Sequence, residues 1–196
     1  ARLLLGCAPD ERETGRFGEI PRDEARLLIG AKRQALRQGT IDLAEVVREA
    51  GDARKASGWT SGSPVSLEVQ VRVRQLGAEA AVLAGDATHA WGEAALARNL
   101  ARDTGWRVLE AETLVTLCEA AIVSGRRENL KKAAADLRHL AAQIRSPRFE
   151  VEALFFGAFG ESATFEPLVL EQVALRAHTS PPAARRAQAL LGGDAP

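Results

Sequence analysis

The chain has 196 residues, of which 46% are hydrophobic, 27% are charged and 5% are aromatic. Its 26 basic residues balance its 26 acidic residues, and this zero net charge argues against a nucleic-acid partner, since duplex binders usually carry a basic excess. No apolar run reaches the ~18 residues that a membrane span needs, and the N-terminus lacks the features of a signal peptide, so no membrane association is predicted.

Cysteine and methionine usage sets two further expectations. Cys7 and Cys118 lie far apart in the chain, which predicts two reduced thiols in a cytoplasmic protein. Methionine is absent at every position, including the first. We therefore expect a processed chain or a fragment of a longer protein, and we interpret residues 1–20 as an N-terminal remnant or linker.

Helical periodicity dominates the segments that follow. Two kinds of signal mark the predicted helix boundaries. At a helix start, a Ser-Pro pair supplies an N-cap residue and a proline in the first turn. At a helix end, a glycine suits the residue that follows the last helical one. The Ser-Pro pairs stand at 63–64, 146–147 and 180–181, and the glycines at 85, 105 and 125. The predicted helices are 23–37, 42–57, 64–84, 88–104, 107–124, 127–145, 147–158, 165–178 and 181–191, followed by a frayed tail at 193–196.

Residues 65–76 admit two interpretations. Apolar residues alternate strictly with polar ones from Val65 to Val73, a pattern typical of a strand. However, Pro64 opens the segment and no second strand is available to satisfy its backbone, so we predict a helix. The strand remains the alternative.

One phrase occurs twice in the sequence, forty residues apart. Residues 78–104 align without a gap with residues 118–144, and each copy is predicted as helix, glycine-centred turn, helix. A fixed period of this length indicates a helical-repeat array. The alanines of the phrase, such as Ala80 and Ala120, are interpreted as spacing residues at close helix crossings.

This pattern resembles a degenerate set of tetratricopeptide repeats. Ala78 and Cys118 stand at the small position of the first helix, and Gly85 and Gly125 stand at the turn. Ala90 matches the small residue of the second helix. The turn spacing departs from the family period of about 34 residues, and most of the family's large aromatic positions are missing.

The resemblance implies an all-α fold in which antiparallel helix pairs stack as a short right-handed α-solenoid, here a repeat domain over residues 21–192. It also implies a non-enzymatic protein–protein interaction scaffold or regulatory module of a larger bacterial signalling or assembly protein. The alternative is a ligand- or peptide-sensing regulatory domain of a signal-transduction ATPase, kinase or transcription regulator.

In tetratricopeptide arrays the first helix of each pair lines the concave face, where a protein or peptide partner binds. The positions that carry over run from basic to acidic, so a partner of opposite polarity would dock in one register. Ordinary charged helix surface is the alternative explanation. The groove candidates are Arg26, Arg33, Arg37, Arg72, Gln75, Glu79, Glu112, Val115 and Glu119.

No motif predicts an enzyme, a cofactor or a metal site. His89, His139 and His178 have no metal-ligand spacing, and no phosphate-binding loop or nucleophile turn occurs. Residues 40–59 resemble a DNA-binding helix-turn-helix but have polar residues where its second helix must pack. Residues 181–191 are predicted as a capping helix with Arg185 and Arg186 on its polar outer face.

Overall fold

The structure is a computed structural model that describes residue 35, residues 67–159 and residues 166–192. Within these ranges it contains seven α-helices and no strand, which confirms the predicted all-α class there; the stacking into a solenoid stays a prediction. The helices are α1 (Leu67–Ala84), α2 (Ala87–Asp103), α3 (Arg107–Val123), α4 (Arg127–Ile144), α5 (Pro147–Gly157), α6 (Pro167–Ala174) and α7 (Pro181–Leu191).

Several predicted features lie outside the described residues. They are the segment 1–20, the helices 23–37 and 42–57 apart from the helical Ala35, the Ser63-Pro64 helix start and the tail 193–196. The described residues fall into two compact units that divide between Trp106 and Arg107. The first unit contributes α1 and α2, and the second contributes α3 to α7.

The first helix settles the ambiguity of its strand-like pattern, because residues 67–76 are helical. The strand alternative is therefore wrong for these residues. Between Glu68 and Ala81 every residue is buried except Arg72, Arg74 and Glu79. The valines and the polar Glu68 and Gln70 that alternate with them are buried alike, so the alternation does not separate a buried face from an exposed one as it would in a half-buried strand.

In the first unit α1 packs against α2. Fully buried alanines such as Ala78, Ala81 and Ala94 let two helices approach closely, as the sequence predicts for small residues at a crossing. An ion pair also joins the two helices: Arg74 Nη1 donates to Glu93 Oε2 at 3.0 Å.

In the second unit each helix from α3 to α7 packs against the next one along the chain. Its largest fully buried side chains include Leu114, Leu130, Leu137 and Phe156, so the core lies between successive helices. Helices α5 and α7 begin at the predicted prolines.

Helix α6 is shorter than the predicted span of 165–178, and that prediction is corrected. Glu166 is extended, as the residue before a proline must be, so the helix begins at Pro167. At the other end, Arg176 donates its backbone N–H to Val173, a tightened turn that ends the regular helix. Residues 175–179 form a turn that leads to Pro181.

The predicted glycine turns are confirmed by their backbone geometry. Gly85 and Gly125 have φ of 72° and 64°, and an added Cβ at either position would meet no atom within 4 Å. The turns therefore need glycine for its conformation rather than for its size. Arg145, forty residues after Gly105 (φ 70°), adopts the same left-handed conformation at φ 51° without being a glycine.

Candidate functional site

Helix α3 exposes one narrow face. From Leu109 to Ala121 every residue is buried except Glu112, Val115 and Glu119, which are each partly exposed. Residues spaced by three and four positions lie on one side of a helix, so these three form a continuous line about 10 Å long. We call Glu112, Val115 and Glu119 the α3 stripe.

The corresponding line on α1 is only partly at the surface. Arg72 and Glu79 are half-buried, and Arg72 Nε donates to Glu68 Oε1 at 3.1 Å. Gln75 has a relative exposure of 0%, so it lies beneath the surface that its two neighbours reach. The remaining groove candidates, Arg26, Arg33 and Arg37, lie outside the described residues.

The last residue of the α3 stripe is held by a guanidinium. Arg186 Nη1 donates to Glu119 Oε1, and Arg186 Nη2 donates to Glu152 Oε2 on α5. One arginine on α7 thus bridges carboxylates from two other helices. The second oxygen of Glu152 accepts a hydrogen bond of 2.6 Å from Ser180 Oγ.

Two aromatic rings complete the surroundings of this guanidinium. Its central carbon lies 5.0 Å from the ring centroid of Phe155 and 5.2 Å from that of Phe156, within cation–π range. The two rings meet edge to face at 5.2 Å. We call Glu119, Glu152, Phe155, Phe156 and Ser180 together the arginine site, with Arg186 as its occupant.

Local sequence explains how α5 and α7 supply these groups. Glu152 precedes Phe155 and Phe156 by three and four residues, so all three side chains emerge on one side of α5. Ser180 occupies the N-cap position of α7, but its side chain makes no capping hydrogen bond and donates one to Glu152 instead. The predicted helix start is right, and the predicted capping role of the Ser180 hydroxyl is wrong.

The arginine site contains a buried carboxylate, because the side chain of Glu152 is only 2% exposed. Burying a carboxylate is unfavourable unless it is paired and hydrogen-bonded, which Arg186 and Ser180 both achieve for Glu152. The side chain of Arg186 is itself 29% exposed, so solvent screens part of this pairing.

The thiol of Cys118, next to Glu119 in the chain, is expected to be unreactive. Cys118 is buried and free. Burial raises the pKa of this thiol far above its ordinary range; the charges of Glu119 and Glu152 raise it further, and Arg186 opposes them. Because the thiolate is the nucleophilic form, Cys118 stays a protonated, apolar packing residue.

Most of the arginine site has no signal in the sequence pattern. The pattern gives no role to Glu152, Phe155 and Phe156, and it predicts Arg186 on the outer face of α7. That expectation is wrong for Arg186, which reaches Glu119 and Glu152, whereas Arg185 is exposed as expected. The signal that the sequence offers is the spacing of Arg186, three residues after the apolar Ala183, which places both on one side of α7.

Within the described ranges, no three His, Cys, Asp or Glu side chains are grouped so that they could hold a metal ion. No helix in that part of the chain has the length and apolar character needed to cross a membrane. In comparisons with protein-family models, with curated proteins and with solved structures, none matched the chain.

Proposed function

We propose that the chain is a non-enzymatic interaction module that binds a protein or peptide partner along the α3 stripe. In this proposal it acts as the regulatory or scaffolding part of a larger signalling or assembly protein. The resemblance to tetratricopeptide repeats motivates the choice of this face, because that resemblance makes α1 and α3 the first helices of their pairs.

One observation carries the proposal: between Leu109 and Ala121, α3 is buried on all sides except along Glu112, Val115 and Glu119. A partly exposed line on an otherwise buried helix is rigidly held, so a partner meets side chains whose positions are already fixed. Two carboxylates flank an apolar residue, which favours a segment with basic groups on either side of a small apolar one.

The experiment is to select peptides from a phage-displayed random library on the chain and to measure their affinity by fluorescence anisotropy. Glu112→Arg places a cation on the stripe. We expect it to lower the binding affinity of the selected peptides at least about tenfold, because the new arginine repels their basic groups. Glu171→Arg is the matched control, since Glu171 is an exposed glutamate on a different helix, α6. Equal affinities for the two variants contradict the proposal.

A second function, a ligand-sensing regulatory domain, draws on Gln75. Within the described ranges, neither its amide nitrogen nor its amide oxygen has a hydrogen-bond partner, although both are buried. Buried amides are normally satisfied, and a polar ligand would satisfy this one. A thermal-shift screen of polar small molecules tests it: a hit that Gln75→Leu abolishes supports sensing, and no hit contradicts it.

A further inference from the structure

We propose that the arginine site is a receptor for a guanidinium group and that α7 is its internal ligand. An arginine-bearing segment of a partner protein displaces Arg186 and takes its place between Glu119 and Glu152. This inference rests on the proposed function, and it adds the chemistry of the partner and a means of regulation.

The geometry of the site selects a guanidinium over an ammonium. Nη1 and Nη2 of Arg186 reach carboxylates on two different helices, which a forked, planar donor can do and a single ammonium point charge does less well. The rings of Phe155 and Phe156 add two aromatic contacts to the same planar group. Because a guanidinium is also more weakly hydrated than an ammonium, it enters such a half-buried site at a lower desolvation cost.

The site retains its preference for a cation after Arg186 leaves. Glu152, whose side chain is only 2% exposed, would then keep the hydrogen bond from Ser180 but lose its contact with the guanidinium. A buried carboxylate is unfavourable without a cation. The released site therefore draws in another guanidinium, and a partner's arginine is the side chain that supplies one.

Helix α7 is anchored by small buried side chains and by partly buried ion pairs. Its buried residues are Ala183, Ala184 and Ala187, which remove little apolar area from water. Arg186 Nε is also buried and has no hydrogen-bond partner within the described part of the chain. An unsatisfied buried N–H lowers the stability of the docked state, so release of α7 needs less free energy than its ion pairs suggest.

The arginine site is continuous with the α3 stripe, because Glu119 belongs to both. A segment that lies along Glu112 and Val115 reaches Glu119 with its next residues and can deliver an arginine there. Binding along the stripe and displacement of Arg186 are thereby parts of one event.

The test measures binding of N-acetylarginine amide and N-acetyllysine amide to the whole chain by calorimetry at matched ionic strength. For Arg186→Ala we expect saturable binding of the arginine amide, at least about tenfold tighter than the lysine amide. The wild type and Arg185→Ala should bind the arginine amide about tenfold more weakly than Arg186→Ala, since Arg186 competes. Adding Glu152→Gln to Arg186→Ala should remove the preference. No preference for arginine, or equal affinity of wild type and Arg186→Ala, overturns the inference.

A second measurement decides the matter if Arg186→Ala loses its helical circular dichroism. In the wild type, amide hydrogen exchange of residues 181–191 is followed as N-acetylarginine amide is added. Faster exchange in α7 with the arginine amide, and not with the lysine amide, supports displacement; unchanged exchange with both overturns it. Selected peptides that bind through Glu112 without an arginine preference overturn this inference alone, whereas arginine-amide binding without any stripe-dependent peptide overturns the proposed function alone.

Discussion

Glu119 on α3 accepts a hydrogen bond from Arg186 on α7, 67 residues further along the chain. Between Leu109 and Ala121, α3 is partly exposed along the α3 stripe and is otherwise buried. The contact therefore joins the α3 stripe to α7, the last helix that the structure describes. In the proposed mechanism, the partner-binding surface and the displaceable helix are thus linked through one side chain.

Replacement of Glu152 by glutamine should destabilise the second unit. The amide cannot neutralise Arg186, and it weakens a charged contact that also involves Ser180. We expect a loss of about 2 kcal/mol in the free energy of unfolding, with the partial exposure of Arg186 keeping it below the value for a fully buried pair. Chemical denaturation followed by circular dichroism measures it. Glu171→Gln on the exposed face of α6 is the control, and an equal effect of the two changes contradicts the structural role of Glu152.

The buried thiol predicts a specific pH dependence. The pKa of Cys118 is raised in the folded state, so the thiol keeps its proton there while the unfolded chain ionises above about pH 8.5. Stability is therefore complete below that pH and is lost as the pH rises. In a Cys7→Ser background, whose single thiol is Cys118, the loss should reach about 1.4 kcal/mol near pH 9.5.

The control for this pH dependence is the same background with Cys118→Ala, which removes the titrating thiol. The difference in unfolding free energy between the two variants should shrink as the pH rises from neutral to alkaline values. A difference that stays constant contradicts the raised pKa. Native Cys118 should also resist iodoacetamide until denaturant is added.

The left-handed turns predict that two substitutions change the stability of the chain in opposite directions. Arg145→Gly should stabilise the chain by about 0.5–1 kcal/mol, because glycine relieves the strain of a positive φ. The greater conformational entropy of glycine in the unfolded chain offsets part of this stabilisation. Gly125→Ala should destabilise it by a similar amount, since an added Cβ meets no neighbour there and only the backbone is strained. Thermal melts measure both. Two changes of the same sign contradict the assignment of a shared turn conformation.

Close helix packing predicts that a larger side chain is tolerated at an exposed alanine of α4 but not at a buried alanine of α3. Ala120 is fully buried, so Ala120→Leu should overpack the core and cost about 1–3 kcal/mol. Ala135 on α4 is exposed, and Ala135→Leu should change the stability by less than about 0.5 kcal/mol. Denaturant midpoints compare the pair directly. A harmless Ala120→Leu contradicts close packing at this position.

Much of the local structure could be predicted because its causes are local. A positive φ at Gly85 and Gly125 follows from the glycine itself, and the helix starts at Pro147 and Pro181 follow from the fixed φ of proline. The helical period also places Glu112, Val115 and Glu119 on one face. These features depend on residues within a turn or two of each other.

The arginine site could not be predicted in this way, because its parts come from three helices. Arg186 lies 67 residues from Glu119 and 34 from Glu152, and no periodicity relates those separations. The hydroxyl of Ser180 shows the same limit. Its position predicts a cap that accepts a backbone N–H, yet the hydroxyl donates to the buried carboxylate of Glu152 and no cap bond forms, so a tertiary contact replaces the local one.

Photo-crosslinking tests the central claim, that a partner binds along the α3 stripe, most directly. Benzoylphenylalanine is placed at Val115, the middle of the stripe, or at Glu171 as the exposed control, and each variant is irradiated with a selected peptide. The account predicts crosslinked product from position 115 and none from position 171. Crosslinking at position 171 with none at position 115 would contradict it.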